Sequence, residues 1–430
     1  MKARVPWLFI LLVILASMTL VNCSSYSCGV TFGSSTCAPS GSGIGSGGGG
    51  VGGVGGGGGS TPVAFAFAVD QSGTLNGYTL SSSALQVTLG YTAPGIPSGD
   101  PSVGMVIAQK QFVYAVFEVE NKIYGWSLNA TTGALTLLSG FPLILSSTLS
   151  APIATYNEYN VATNPAGTLL FISDTANSRI FVYQISTSGA LTAVTNSPFA
   201  TGTVQPGNLT TDGLGNYLYV TALGSNHQGT EVLAYSIGTG TNIGMLTTVT
   251  GSPFAFPMWQ LQGDPSGAFL IGTSGSTLHF SGTDDKQLYV FSIQTSGANA
   301  GAISEVSGSP FATQFSPFNI AVDSVSGGEF VYSFSINDAG TGYNPIEGFQ
   351  LSPSTGTLTA ISGSPFTTVA TGHWGQFDQS GALLFLYSDV LGGATSTQLS
   401  ALAVSSTGVL TQPIPSLTLA TTGYWVVTNP

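Results

Sequence analysis

One strand-like segment occurs seven times along the chain, and this repetition restricts the fold more than any other feature of the sequence. Each copy has an aliphatic residue, a spacer, a small residue, usually an aromatic residue, a spacer and a final aliphatic residue. The copies are "LNGYTL" from Leu75, "IYGWSL" from Ile123, "IFVYQI" from Ile180, "VLAYSI" from Val232, "LYVFSI" from Leu288, "IEGFQL" from Ile346 and "LSALAV" from Leu399. They begin 48 to 58 residues apart. Their period-two alternation predicts a strand with two unlike faces, repeated in an all-β protein.

Two further signatures accompany the central segment in most copies. After it, a Gly turn leads into a short strand that Ser-Pro closes, as in "GMLTTVTGSPFAF" from Gly244. Before it, an Asn/Asp-Pro-x-Gly turn joins two strands, as in "NVATNPAGTLLFISD" from Asn160. One unit therefore has four antiparallel strands in about 50 residues, which is typical of a β-propeller blade.

The two ends of the repeat region complement each other. The C-terminal "YWVVTNP" from Tyr424 matches "YNVATNP" from Tyr159, which is a first strand with the start of its turn. The region begins near Pro62 with "VAFAFAVD", which corresponds to the second strand that follows this turn elsewhere. We therefore expect residues 62–430 to form a seven-bladed propeller whose ring closes when the C-terminal strand pairs into blade 1.

The first 61 residues are predicted to be a leader and a linker. Residues 1–22 have two cations followed by a short apolar run, as in a signal peptide. The segment ending at Cys23 resembles a bacterial lipoprotein box, which implies a lipid on Cys23, whereas ordinary cleavage nearby would give a free secreted protein. Residues 23–61 are Gly-rich and predict a flexible tether, in which Cys28 and Cys37 either form a disulfide or remain thiols. We expect export to the cell envelope, anchored in the outer membrane and facing the periplasm or the surface.

Composition excludes several function classes. Only 6% of residues are charged and the net charge is −12, so no basic surface is available for nucleic acid or for anionic lipid headgroups. No phosphate-binding motif occurs, and no cofactor is expected. The three histidines His227, His279 and His373 fall in different blades, so no metal site is predicted.

The spacing and wording of the repeats resemble the lactonase-like β-propellers, the group with 6-phosphogluconolactonase-type proteins. The segment from Asn164 to Val194 carries the resemblance best, because Asp174 and Arg179 match the strand-end Asp and the Arg of that family. The resemblance implies hydrolysis of a sugar lactone at the channel mouth, with His373, Asp174 and Arg179 as candidate catalytic residues. Arg179 is the only Arg after the leader, whereas a lactonase pocket implies several.

Aromatic residues recur where the first strands of the repeats begin. They are predicted to form a binding rim at one channel mouth, or alternatively to pack between blades. These residues are Tyr159, Trp259, Phe318, Trp374, Tyr424 and Trp425. We favour a monomeric binding or scaffold module for an uncharged glycan or a protein partner, with a lactonase as the alternative and a purely structural envelope protein as a third hypothesis. Whether the chain is an enzyme stays open, with the shortage of cations favouring a non-catalytic role.

Overall fold

A computed structural model describes most of the repeat region. It describes residues 64–69, 75–81, 85–91, 102–117, 121–145, 161–224, 229–274, 285–325, 328–336, 342–372, 374–378, 380–388, 397–419 and 427–429. The chain divides into two units, residues 1–58 and 59–430. The predicted leader, lipidation site and linker all lie outside the described residues, so those predictions stay open.

In each sheet the described strands occupy four successive positions, and we name them the first to the fourth strand. The first strands are β4 (Ser102–Ala108), β9 (Val161–Thr163), β14 (Gln205–Thr211), β18 (Gln260–Gly263), β23 (Asn319–Val325), β27 (Trp374–Phe377) and β32 (Val427–Asn429). The second strands are β1 (Ala64–Val69), β5 (Phe112–Phe117), β10 (Leu169–Asp174), β15 (Tyr217–Leu223), β19 (Phe269–Thr273), β24 (Gly328–Phe334) and β28 (Leu383–Ser388).

The third strands contain the repeated central segments, and the fourth strands are mostly short. The third strands are β2 (Leu75–Leu80), β6 (Lys122–Leu128), β11 (Arg179–Ile185), β16 (Gly229–Ile237), β20 (Gln287–Ile293), β25 (Glu347–Leu351) and β29 (Thr397–Val404). The fourth strands are β3 (Leu85–Tyr91), β7 (Leu135–Leu137), β12 (Leu191–Ala193), β17 (Leu246–Thr248), β21 (Ile303–Glu305), β26 (Leu358–Ala360) and β30 (Leu410–Thr411). Four further short strands pair with third strands: β8 (Leu143–Ile144), β13 (Phe199–Ala200), β22 (Phe311–Ala312) and β31 (Leu417–Leu419). The described helical structure is a single 3-10 turn, Gly240–Asn242.

Neighbouring strands within these sheets run antiparallel throughout the described part of the chain. In the sheet of β9 to β12, Phe171 of β10 lies opposite Ala162 on one side and Val182 on the other. The third strand β11 then pairs with β12 and, beyond a break at Ser197-Pro198, with β13. The molecule is thus an all-β propeller with four-stranded antiparallel blades, as the repeat predicts.

The last described strand of the chain pairs with the first. β32 is antiparallel to β1, with Asn429 opposite Phe65 and Val427 opposite Phe67. The first strands also contact one another in chain order from β4 to β27, and β32 contacts both β27 and β4. The first strands therefore line the inner side of the sheets.

Each sheet is buried on both faces because alternate residues of its second strand point toward different neighbours. Leu170 and Ile172 of β10 pack in one cluster with Tyr114 of the preceding sheet. Phe171, between them, packs in another cluster with Val220 of the following sheet. The tight sheet-to-sheet contact explains why the sequence is rich in aliphatic and aromatic residues but poor in charge.

The Ser-Pro signature has a hydrogen-bonding role. The Ser hydroxyl accepts the backbone N–H of a residue in the third strand, at the break between the fourth strand and the segment that follows. The four bonds are Val182 N to Ser197 Oγ (2.8 Å), Ala234 N to Ser252 Oγ (2.9 Å), Val290 N to Ser309 Oγ (3.1 Å) and Gly348 N to Ser364 Oγ (2.9 Å). The hydroxyl thus replaces a ladder bond that the interrupted fourth strand cannot make.

Candidate functional site

A cavity of about 410 Å³ lies between the first strands and is the candidate functional site. Six of these strands contribute to its wall. The lining residues are Met105, Val106, Val161, Ala162, Thr163, Asn208, Leu209, Thr210, Gln260, Leu261, Gln262, Ile320, Ala321, Val322, Asp323, Trp374, Gly375, Gln376, Phe377 and Asp378. Because each strand supplies only a few positions, the wall is a composite of several sheets.

Amide side chains link neighbouring first strands around part of this cavity. Asn208 Oδ1 accepts the Leu261 N–H at 2.8 Å, and Gln260 Oε1 accepts the Ile320 N–H at 2.9 Å. Gln260 Nε2 also donates to Asn319 Oδ1 at 3.3 Å. We call Asn208, Gln260 and Asn319 the amide belt. It fixes the relative register of three sheets, and two of its members, Asn208 and Gln260, place uncharged polar groups at the cavity wall.

A second polar layer lies two residues further along the same strands. Thr210 Oγ1 accepts the Gly263 N–H at 3.1 Å, and Gln262 Nε2 donates to the Val322 carbonyl at 3.4 Å. Gln376 of β27 also lines the cavity. The wall can therefore offer amide and hydroxyl groups to a ligand, beside apolar surface from residues such as Met105.

The cavity carries little positive charge. No Lys, Arg or His is among its described lining residues, whereas Asp323 and Asp378 are. Asp378 is buried, and its Oδ1 accepts the Leu383 N–H at 2.8 Å, so this carboxylate stabilises the turn between β27 and β28. Such a wall suits an uncharged ligand better than a phosphorylated one, because phosphate oxygens require cationic or multiple N–H donors.

Two of the predicted aromatic binding residues are buried together at the start of their first strands. The rings of Trp259 and Phe318 have centroids 6.5 Å apart, and both pack with Leu223. Trp259 is 5% exposed and Phe318 is 1% exposed, so these two rings lie between sheets rather than on an open rim. Trp374, in contrast, lines the cavity.

Asp174 and Arg179 bind each other at the connection between β10 and β11. Arg179 Nε donates to Asp174 Oδ2 at 2.8 Å, and the Asn177 side chain donates to both oxygens of the same carboxylate. The guanidinium carbon also lies 5.2 Å from the ring centroid of Phe181. The pair stabilises this hairpin connection, and neither residue is among the described lining of the cavity.

Several predicted site residues lie outside the described part of the chain. They are His373, Tyr159, Tyr424, Trp425, Cys23, Cys28 and Cys37. Their predicted roles therefore stay predictions. Among the residues that the structure describes, no group of three or more His, Cys, Asp or Glu side chains could hold a metal ion, and no helix is long and apolar enough to cross a membrane.

The amide belt is the main feature of the site that the sequence analysis does not identify. Asn208 and Gln260 each begin a turn-containing segment of the repeat, and Asn319 begins the corresponding strand β23. Recurrence of an amide residue at this position is the signal that could have revealed the belt. The bonding partner belongs to the next sheet, about 50 residues away, so local patterning does not reveal it.

Comparisons with known proteins identify relatives of this architecture. Residues 101–250 match the family model described as "Lactonase, 7-bladed beta-propeller". No curated protein has a sequence that matches this chain significantly.

Solved structures resemble most of the chain. A candidate 6-phosphogluconolactonase from Bacteroides uniformis has 15% identity and a TM-score of 0.60, over 86% of this chain and 99% of that one. A second candidate 6-phosphogluconolactonase, from Bacteroides fragilis, has 14% identity and a TM-score of 0.59, over 85% and 97%. The periplasmic gluconolactonase of Pseudomonas aeruginosa has 14% identity and a TM-score of 0.54, over 85% and 99%. At these identities the likeness concerns the fold.

Proposed function

Because this chain is a lactonase-like β-propeller, we propose that it binds and hydrolyses a small, uncharged lactone at the mouth of its central channel. The family match over residues 101–250 and the likeness to gluconolactonase-type structures support this activity over a scaffold role. The choice of an uncharged substrate rests on the cavity wall. Its described lining residues combine amide and hydroxyl groups with apolar surface, and no Lys, Arg or His is among them.

A phosphorylated substrate fits this wall poorly. Phosphate recognition depends on Arg, Lys or clustered N–H donors. The chain has six Lys and Arg residues in total, of which two belong to the predicted leader, and Arg179 is bound to Asp174. An unphosphorylated sugar lactone requires only hydrogen bonds and apolar contacts, both of which this wall supplies.

Hydrolysis of a lactone requires a base and stabilisation of the oxyanion that forms. The base removes a proton from water, and the water oxygen bonds to the carbonyl carbon. The ring ester C–O bond then breaks, and the protonated base returns the proton to the departing ring oxygen, which gives a carboxylic acid and a hydroxyl. We propose His373 as the base, since it precedes Trp374 of the cavity wall in sequence. Asp174 and Arg179 are the second set of residues to mutate. We expect their substitution to lower stability as well as turnover, because the two side chains bind each other.

Turnover tests this proposal directly. The rate of acid release is measured by pH-stat titration and corrected for spontaneous hydrolysis. We expect the wild type to hydrolyse glucono-1,5-lactone, and to hydrolyse 6-phosphoglucono-1,5-lactone much more slowly. His373→Ala should abolish the enzymatic rate, whereas His227→Ala, in another repeat, should retain it. Absence of turnover with both lactones, or a preference for the phosphorylated one, would contradict the proposal.

A binding module without catalysis is the second candidate, favoured by the uncharged wall and by Trp374 within it. This function predicts that a neutral sugar or peptide binds without turnover. Binding should then be lost in Trp374→Ala, because this ring lines the cavity, and should persist in His373→Ala. His373→Ala therefore separates the two candidates. It should abolish turnover if the protein is a hydrolase, and it should leave ligand binding unchanged if the protein is a binding module without catalysis.

We also propose that the blades number seven and form one ring closed by β32. The pairing of β32 with β1 and the contacts of β32 with β4 and β27 support this arrangement. For its location, we propose export and a lipid anchor on Cys23, with residues 23–61 as tether. Mass spectrometry of the mature N-terminus would identify a lipidated Cys23 or an unmodified terminus.

A further inference from the structure

Gln376 of β27 differs from the other amide side chains of the cavity wall in its hydrogen bonding. Its Oε1 is buried and has no hydrogen-bond partner among the residues that the structure describes. Asn208 and Gln260 each accept a backbone N–H of the following sheet, and Gln262 donates to the Val322 carbonyl at 3.4 Å. A buried acceptor without a partner is unfavourable, so Gln376 marks a place where a ligand group can complete the bonding.

Gln262 and Gln376 occupy equivalent positions of their sheets, so the difference between them is informative. Each lies two residues before the Asp of its first turn, Asp264 or Asp378, and both line the cavity. The Gln262 amide bonds to the following sheet, whereas the Gln376 oxygen bonds to no described group. The same side chain thus has a structural bond in one sheet and an unused acceptor in another.

Alternation along β27 places Gln376 beside an aromatic ring. Successive side chains of a strand point to opposite faces, so Trp374 and Gln376 share one face. Both are half-buried and line the cavity. Phe377, on the other face, packs against Tyr332 of the preceding sheet, with ring centroids 5.7 Å apart. This part of the wall therefore presents an indole ring and an amide next to each other.

The chemistry of this pair of side chains selects the kind of ligand that fits it. A half-turn about the last side-chain bond of Gln376 exchanges its amide oxygen and nitrogen, and no hydrogen bond of Oε1 to a described group opposes that rotation. The oxygen accepts and the nitrogen donates, so the matching group is a hydroxyl, which does both. The Trp374 ring packs best against apolar C–H surface. A sugar ring combines hydroxyl groups with a C–H face.

We propose that the Gln376 amide binds a hydroxyl group of the ligand while the Trp374 ring packs against the neighbouring C–H face. The two residues then select sugar lactones over lactones that lack hydroxyl groups. This inference rests on the proposed lactone function and narrows its substrate class. Gln376 takes no part in the bond changes of hydrolysis, so its role is recognition and its test is binding.

Two lactams that resist hydrolysis test this role, with affinities measured by ligand-observed NMR titration. Glucono-1,5-lactam has the hydroxylated ring, and 2-piperidone is the same six-membered lactam without hydroxyl groups. We expect the wild type to bind glucono-1,5-lactam roughly tenfold or more tightly than 2-piperidone. Gln376→Met keeps the length of the side chain but removes the amide. It should weaken glucono-1,5-lactam binding roughly three- to tenfold and leave 2-piperidone binding unchanged.

Gln294→Met is the matched control. Gln294 is exposed at the turn after β20, where its Nε2 donates to the Ser296 carbonyl at 3.1 Å, and it is not among the described lining residues of the cavity. This variant should bind both lactams like the wild type. Urea unfolding checks the fold, and Gln376→Met should keep the wild-type midpoint because Oε1 loses no described partner. If that variant does not fold, the ratio of the two lactam affinities in the wild type decides.

Several results would overturn the inference. They are equal affinity of the wild type for the two lactams, no binding of glucono-1,5-lactam, unchanged affinity in Gln376→Met, and an equal loss for both lactams in that variant. Any of these together with turnover of glucono-1,5-lactone would sink the inference and leave the proposed hydrolysis standing. A loss in Gln376→Met confined to glucono-1,5-lactam, in a protein without turnover, would support the inference and refute the hydrolysis.

Discussion

Among single residues, the Ser of each Ser-Pro pair replaces a missing backbone partner of the third strand. We therefore expect Ser252→Ala to lower the free energy of unfolding by roughly 1 kcal/mol, because the Ala234 N–H loses its acceptor. Urea unfolding measures this change. Ser236→Ala is the matched control, since its hydroxyl makes an exposed hydrogen bond to the Thr247 carbonyl of the neighbouring strand, and should have little effect. Equal losses in the two variants would contradict the assigned role.

Glu329 gives the fold a pH dependence near neutrality. Burial, and then the carboxylate of Asp264 in the preceding sheet, raises the pKa of Glu329 to about 7 from an ordinary value of 4.5. The folded protein therefore binds a proton that the unfolded chain releases at lower pH. The stability from this proton is fully present below about pH 4.5 and is lost as the pH rises through about 7.

Glu329→Gln should remove this dependence, because the amide stays neutral beside Asp264. We expect the wild type to lose stability relative to Glu329→Gln between about pH 4.5 and pH 7, measured as the difference in urea midpoints. Glu305→Gln, at an exposed position of β21, is the control and should follow the wild type. A pH-independent difference between Glu329→Gln and the wild type would refute the raised pKa.

Only part of the residue-scale chemistry could be predicted from the sequence. The pattern of the inner strands indicates Trp374 as a binding aromatic, and this residue lines the cavity. The amide belt cannot be predicted from such a pattern, because Asn208 and Gln260 accept hydrogen bonds from backbone groups of the following sheets.

Among the elements, the Gly that opens each fourth strand fits closely against the preceding sheet. Gly301 has φ +90°, and a Cβ there would lie 2.6 Å from the Tyr217 ring and 2.8 Å from Val249. Its carbonyl also accepts the Tyr219 hydroxyl at 3.0 Å. The equivalent bonds of Tyr114 to Gly189 and of Tyr332 to Gly408 are 2.7 and 2.6 Å. The Gly turn thus joins neighbouring sheets as well as reversing the chain.

Substitution of Gly301 should separate these two roles. Gly301→Ala and Gly363→Ala both place Ala at a positive φ, but a Cβ added at Gly363 would meet no atom within 4 Å. We expect Gly363→Ala to cost roughly 1 kcal/mol and Gly301→Ala at least twice as much, from differential scanning calorimetry. Similar costs at the two positions would show that sheet-to-sheet packing tolerates the extra methyl group.

The strand pattern of the repeat is predictable, because it depends on local alternation and turn residues. The short strand after each Gly turn is confirmed, for example in Leu191–Ala193 and Leu246–Thr248. The two-residue strands after Ser-Pro, such as Phe199–Ala200, are not predicted from the sequence. They are too short to have a period, and they exist because they pair with the half of a third strand that the fourth strand leaves free.

For the whole molecule, the repeat predicts the architecture but not the ligand. Seven similar segments specify how sheets pack, and the all-β propeller with four-stranded blades is confirmed by the structure. The cavity wall takes a few residues from each of six strands, and those residues differ between copies. The chemistry of the site therefore depends on the positions at which the copies differ. Similarity between the copies does not predict those residues.

The account depends most on closure of the ring, since the channel and its mouth exist only if β32 completes the first sheet. Thr428 lies opposite Ala66 in the β1–β32 register. In a chain whose native cysteines are replaced by serine, Ala66→Cys with Thr428→Cys should form an intramolecular disulfide, identified by mass spectrometry of the linked peptides. The pair Ala66→Cys with Thr192→Cys, from another sheet, should not. Free thiols, or disulfides only between molecules, in the first pair would contradict the closed ring.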